Sequence, residues 1–276
     1  MNTINSFSTH HPLGSVLLIL VSWMLVASGV AALSVWILDL PLAHDIPQSL
    51  GGLGATVLLL VWVWRLGWLK GSWIANPGSW LAWVFSIVVL VYLVTDTSYA
   101  FFGQLGFDFS IFFRSPAART ILVRATTVGL IEETLFRGVI LFVLAQAWSG
   151  SRRGILAALI VQAALFALPH MLHAFNGNAM SIVTANVVGC FVSGMLLGAW
   201  ALGWRTIWPG VVFHAMSNVV AKAGILTVLG PYHSGLSNYL LSVLFDLSLL
   251  IVILGWMLRR TPASSLRVTR QAARLS

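Results

Sequence analysis

The sequence predicts an all-α polytopic membrane protein, a bundle of about eight transmembrane helices, and three observations carry that expectation. Of 276 residues, 59% are hydrophobic and only 8% charged, against about 25% charged in an ordinary soluble domain. Mean hydropathy is +0.93. The apolar residues fall into runs parted by short loops, and most reach or approach the roughly 17–25 residues that a crossing helix needs. The surplus of fifteen Lys and Arg over seven Asp and Glu lies at segment ends and in the C-terminal tail. Topological anchoring explains that distribution better than a nucleic-acid-binding face does. The thirteen Trp suit interfacial belts. The single cysteine, Cys190, excludes an intrachain disulfide and a cysteine-based metal site.

The elements follow in order. Met1–Pro12 is polar and holds no Lys or Arg; Leu13–Leu38 lacks a basic leader and is too long for a signal core, so it reads as a retained helix. Spans follow at Leu50–Leu66 and Trp80–Val94. Thr95–Pro116 is aromatic and mildly polar (Phe101, Phe102, Phe107, Phe109, Phe112, Phe113) and fits an interfacial or re-entrant piece. The remaining spans are Ala117–Trp148, Ile155–Leu172, Ser181–Leu202, Ile207–Leu229 and Leu236–Leu258. Three regions result: N-terminal helices and interfacial loop (1–116), a transmembrane core (117–258) and a basic tail (259–276). Gly194 and Gly198, spaced i,i+4 in the sixth span, are a close-packing signal within the bundle.

Orientation follows from the loops. Arg65, Lys70, Arg152, Arg153, Arg205, Arg259, Arg260 and the tail residues Arg267, Arg270 and Arg274 all fall on one side if both termini are cytoplasmic. Arg114 and Arg119 are then left on the other side.

Three polar clusters interrupt the apolar spans. Glu132 and Glu133 lie side by side with Arg137 in the fourth span, where each charge costs roughly 2.5–3.5 kcal/mol on insertion scales. Glu133 and Arg137, at i and i+4, share a helix face and can pair. Glu132 is turned by about 100° from Glu133 and addresses another neighbour. Arg137 therefore braces Glu133 while Glu132 stays available for chemistry. The second cluster is Phe166 with His170, next to Pro169, whose missing N–H frees a carbonyl that something must satisfy; His173 lies near the span end. The third is His214 with Asn218, again i,i+4 on one face. Singly, each fits helix packing: a structural ion pair, or hydrogen bonds between spans worth about 0.6 kcal/mol on average.

Together they are a parts list for amide hydrolysis. A carboxylate can take a proton from water and an imidazole can relay it. A second imidazole and a carboxamide can donate to the developing oxyanion, a contribution of about 2.7–4 kcal/mol per donor. Glu132, His170 and His214 could alternatively hold Zn²⁺, with water in the open position. No H-E-x-x-H and no G-x-S-x-G occurs, so the common zinc-protease and serine-hydrolase templates are missing.

Glu132-Glu133-x-x-x-Arg137, Phe166-x-x-x-His170 and His214-x-x-x-Asn218, in that order on separate spans, resemble the CPBP (Abi) family of intramembrane proteases, which includes the type II CAAX prenyl endopeptidases. The resemblance covers roughly Arg119–Leu229 and extends to the eight-helix count. It implies that Glu132 and His170 activate water, that His214 and Asn218 form the oxyanion hole, and that Glu133 and Arg137 support the site. It also implies a glutamate-based, metal-free mechanism, with Zn²⁺ as the alternative. The expected substrate is a membrane-anchored protein or peptide cut near its C-terminal tail, with the lipid bilayer as the other partner and no nucleic acid. Composition and short loops point to a prokaryotic plasma membrane. Two rival classes use the same residues: a catalytically silent scaffold or immunity protein, and an ion- or proton-coupled transporter. The transporter class predicts inverted repeats and paired broken helices, and the sequence shows none.

Overall fold

Long apolar runs with good helix formers leave the backbone one way to satisfy its polar groups in lipid, and the chain takes it. The computed structural model describes residues 3–41, 45–69, 71–88, 91, 113–115, 117–176, 179–227 and 236–260. Among these residues every regular element is helical. The order is α1 (Thr3–His10), α2 (Pro12–Leu38), α3 (Asp45–Arg65), α4 (80–88), α5 (Ala118–Glu132), a π-helical segment (Glu133–Ile140) and α6 (Leu141–Trp148). Then come α7 (Arg152–Ala167), a 3₁₀ segment (Leu168–Asn176), α8 (Met180–Trp204), α9 (Trp208–Thr227) and α10 (Leu236–Arg260). Each expected span coincides with a helix, although only the first part of Trp80–Val94 is described. Lys70, most of Thr95–Pro116, the side chain of His173 and the tail beyond Arg260 lie outside the described residues.

Four of the described helices are long and apolar enough to cross a membrane: Pro12–Leu38, Ile46–Arg65, Arg152–Leu172 and Met180–Trp204. Their outward faces are apolar. Leu25, Trp36, Val57 and Leu172 are all more than half exposed, as are Val88 on α4 and Val252 on α10. Water would penalise that surface, whereas lipid tails match it. This is an integral membrane protein.

The centre of the bundle is the rod formed by α5, the π segment and α6. Its stretch 133–145 is buried throughout, as expected for a helix enclosed on all sides. Around it pack α2, α3, α7, α8 and α9. The α2–α3 seam closes on glycine: a β-carbon at Gly51 would collide with the Ala27 carbonyl oxygen. Gly194 and Gly198 do for α8 what their spacing predicts. β-carbons there would lie 3.2 Å from Ala163 Cβ and 2.8 Å from Gln162 Oε1 on α7.

One end of the bundle gathers the turns that carry basic residues. The turn after Arg65 lays Trp68 and Trp73 on Phe142, with ring centroids 5.8 and 6.2 Å apart. Asn76 donates to the Arg205 carbonyl at 2.7 Å, Thr206 to the Asn76 carbonyl at 2.7 Å and Trp208 Nε1 to the Ile74 carbonyl at 2.9 Å. Trp204 stacks on Trp256 at 5.3 Å, one turn before Arg259 and Arg260. A β-carbon at Gly138 would lie 2.7 Å from Ile74 and 3.7 Å from Ile207, so α9 begins level with Gly138, well below Trp148. Counting inward along α9 from Arg205 would otherwise place His214 shallower than Glu132. The low start of α9 brings the two to one depth.

Candidate active site

The central rod changes its winding where the carboxylates sit. At its far end the Leu141 N–H bonds to the Phe136 carbonyl, a five-residue spacing that closes the π segment begun at Glu133. Short π segments inside α-helices are frequent at functional sites; nothing in the hydrophobic pattern foretells this one. The two neighbouring carboxylates are treated differently. The Glu133 side chain is 1% exposed and that of Glu132 is 29% exposed. A water molecule can reach Glu132, whereas Glu133 faces protein.

Glu133 Oε1 stands 2.9 Å from Arg137 Nη1, the i,i+4 pair expected from the sequence, and 2.9 Å from His214 Nδ1 on α9. Its other oxygen faces Gly210, where a β-carbon would come within 3.1 Å. The second ring nitrogen of His214, Nε2, lies 3.4 Å from Glu132 Oε2. One imidazole thus bridges both carboxylates. The close approach behind it comes from Gly129, one turn before Glu133: a β-carbon there would lie 3.0 Å from the Ala215 nitrogen and 3.1 Å from the Val211 carbonyl oxygen. Small residues let the α5 and α9 backbones meet, and the short His–Glu distances follow.

The other wall comes from α7 and α8, and the three helices meet in layers one turn apart. Leu141, Gln162 and Gly198 form the first, since a β-carbon at Gly198 would also lie 3.4 Å from Leu141 Cδ2. Arg137, Phe166 and Gly194 form the second. The guanidinium carbon lies 4.2 Å from the Phe166 ring centroid, and a Gly194 β-carbon would lie 3.2 Å from Phe166 Cδ1. One turn further on the same faces come Glu133, His170 and Cys190. Phe166 is the hub: its ring also meets Phe136, His170 and His214 edge-on, with centroids 5.3, 5.4 and 5.8 Å away. Arg137 is completely buried; its Nε and Nη2 find no hydrogen-bond acceptor among the described residues.

Pro169 cannot donate to Leu165, and the helix gives way at Leu168 to the 3₁₀ segment. There His170 Nδ1 lies 3.2 Å from the Phe166 carbonyl. A carbonyl only accepts, so Nδ1 carries the proton and the lone pair is on Nε2. Asn218 follows His214 by one turn of α9, half-buried, with no side-chain hydrogen bond to another described residue. For the zinc alternative of Glu132, His170 and His214, Glu132 Oε2 and His214 Nε2 stand 3.4 Å apart, a spacing that two ligands of one ion can have, while His214 Nδ1 is engaged by Glu133. Among the described residues no three His, Cys, Asp or Glu side chains stand together in a way that could hold a metal ion. Sequence reasoning missed the bridging of the two carboxylates by His214 and the glycines that permit it. It also passed over Asn186, which lies one turn before Cys190 and accepts from Sγ at 3.8 Å. The i,i+4 row Asn186, Cys190, Gly194, Gly198 was the available signal.

Residues 114–220 match the family described as Rce1-like, the type II CAAX prenyl endopeptidase Rce1-like family. That segment holds all three motifs. No curated protein and no solved structure matches the chain.

Proposed function

We propose, from the Rce1-like domain at residues 114–220 and the acid–base cluster inside it, that this protein is an intramembrane endopeptidase. Its substrate is a membrane-anchored protein or peptide, cut near its C-terminal tail by a glutamate-activated water. The observation that carries this reading is the unequal fate of the two carboxylates. Glu133 is buried and engaged by Arg137 and His214, whereas Glu132 is partly open and its neighbour across the gap is an imidazole.

In this reading Glu132 accepts the proton of the attacking water, and His170 Nε2 orients the water through its lone pair. Water oxygen bonds to the scissile carbonyl carbon, the carbonyl π pair moves to oxygen, and the C–N bond then breaks as Glu132 returns the proton to the leaving amine. His214 and Asn218 donate to the oxyanion. The surroundings of His214 make it a donor. Nδ1–H is held by Glu133, and with Nε2 also protonated the cluster of Glu132, Glu133, Arg137 and His214 sums to zero charge. Neutrality is the least costly state for a group sunk in hydrocarbon. Glu133 and Arg137 position His214 and do not touch substrate. No step runs through a metal ion.

The test pairs the wild type and Glu132→Gln with C-terminally anchored proteins in the same membrane. Substrate tail lengths are compared by mass spectrometry, with and without a zinc chelator. Tails shortened by the wild type alone, chelator present or not, are the expected result. Loss of cleavage with chelator replaces the glutamate mechanism by a metal one. Cleavage at the wild-type rate by Glu132→Gln defeats the assignment, and no cleavage in any pairing favours a silent scaffold.

A further inference from the structure

The helix α8 is one of the four span-length apolar helices, yet its second turn carries Asn186, half-buried, at the head of the i,i+4 row that continues through Cys190, Gly194 and Gly198. The register of that row is fixed by contact. Gly198 meets Gln162 and Leu159, and Gly194 meets Phe166 and Ala163. The two helices therefore run antiparallel, and each turn back along α8 advances one turn along α7. Cys190 comes level with His170, and Asn186 lies one turn further, over the 3₁₀ segment that carries His170.

A carboxamide in hydrocarbon is costly unless its donors and acceptor are paired. Among the described residues the Asn186 oxygen accepts only from the Cys190 thiol, at 3.8 Å, a weak donor. The planar amide then turns its NH₂ to the opposite edge, where no described residue accepts it. Along the helix axes Asn186 lies about one turn, or about 5.4 Å, beyond the level that Glu133, His170 and Cys190 share. An extended peptide repeats its backbone carbonyls on one side every two residues, about 6.6 Å apart. A peptide that lies along the helices with its scissile carbonyl beside Glu132 and His170 brings the next carbonyl on that side to the level of Asn186.

We infer that Asn186 is a substrate-positioning residue: its carboxamide donates to a backbone carbonyl of the bound peptide two residues from the scissile bond, holding the chain in register with Glu132. This rests on the peptidase reading above. It assigns the site a recognition element that reads peptide backbone, so it works whatever side chains or lipid the substrate carries.

The test uses the full-length protein in vesicles with a quenched fluorogenic CAAX-tail peptide, farnesylated and unmodified, and a version in which the carbonyl two residues from the cleaved bond is replaced by methylene. Asn186→Leu should raise KM by about three- to tenfold, the worth of one hydrogen bond, while kcat stays within about twofold of wild type. The methylene peptide should show the same rise in KM with wild type and no further rise with Asn186→Leu. A general packing role would lower thermal stability and kcat and would be blind to the peptide change. Unaltered KM in Asn186→Leu, or a methylene peptide cleaved by wild type as readily as the parent, overturns the inference while leaving the peptidase intact. Wild-type protein that cleaves neither peptide overturns the peptidase reading and this inference with it.

Discussion

Two glutamates adjacent in sequence differ in what the fold asks of them, and substitution separates the roles. Glu132→Gln keeps shape and loses the base, so activity should vanish with Tm unchanged. Arg137→Ala does the reverse. It leaves Glu133 buried without its ion-pair partner at 2.9 Å and strips the guanidinium from the Phe166 face. Breaking a buried pair from one side costs about 3–5 kcal/mol, which should lower the Tm of the detergent-solubilised protein by on the order of 10 °C. A thermal-shift measurement showing an unchanged Tm for Arg137→Ala would remove the bracing role. Part of this was readable in the residues themselves. The i,i+4 spacing of Glu133 and Arg137 predicts their pairing from helix geometry alone. No spacing rule reaches from Glu133 to His214, 81 positions apart, because that contact depends on how closely two helices approach.

At the scale of the element, that approach is set by what is missing. Gly129 lets the α5 backbone touch α9 at Ala215 and Val211, and His214 lies between those two residues on α9. Gly129→Val would push the helices apart by more than the few tenths of an ångström the neighbours can yield, since the obstructing atoms are backbone. The His214–Glu132 gap of 3.4 Å widens accordingly. Misplacement by about 1 Å costs around a hundredfold in rate, so kcat should fall by about that factor. Circular dichroism should show the helices retained. Near wild-type turnover in Gly129→Val would mean that the α5–α9 distance does not set the chemistry. The helices themselves were legible, because a run of apolar residues of span length has no other stable backbone in lipid. The packing signal at Gly194 and Gly198 was legible for the same reason that Gly129 was not. Two glycines at i,i+4 make a pattern, whereas one glycine in a chain with 24 of them does not. The π segment was beyond reach: a five-residue hydrogen-bond step leaves the composition of a helix unchanged.

The whole molecule is oriented by where its cations gather. Arg65, Arg205 and Arg259 border turns that hydrogen-bond or stack on one another at one end, and Arg152 and Arg153 follow the end of α6. Arg119 opens the central rod at the opposite end. Cytoplasmic loops hold the excess of Lys and Arg, so the end with five of these six arginines should face the cytoplasm. His214 lies six residues into α9 from Trp208, about 9 Å along the helix. His170, level with the same cluster, stands just past Ala167, the last residue of α7. Two cysteines in a Cys190→Ser background test the orientation, Ser151→Cys in the exposed turn before α7 and Ala179→Cys in the exposed turn before α8. A membrane-impermeant maleimide applied to intact cells should label the cysteine at 179 and spare that at 151, and inside-out vesicles should reverse the pattern. The reverse result in cells would put the arginine-rich end outside. The recessed turn at Arg205, from which His214 stands about 9 Å, would then lie on the extracytoplasmic side.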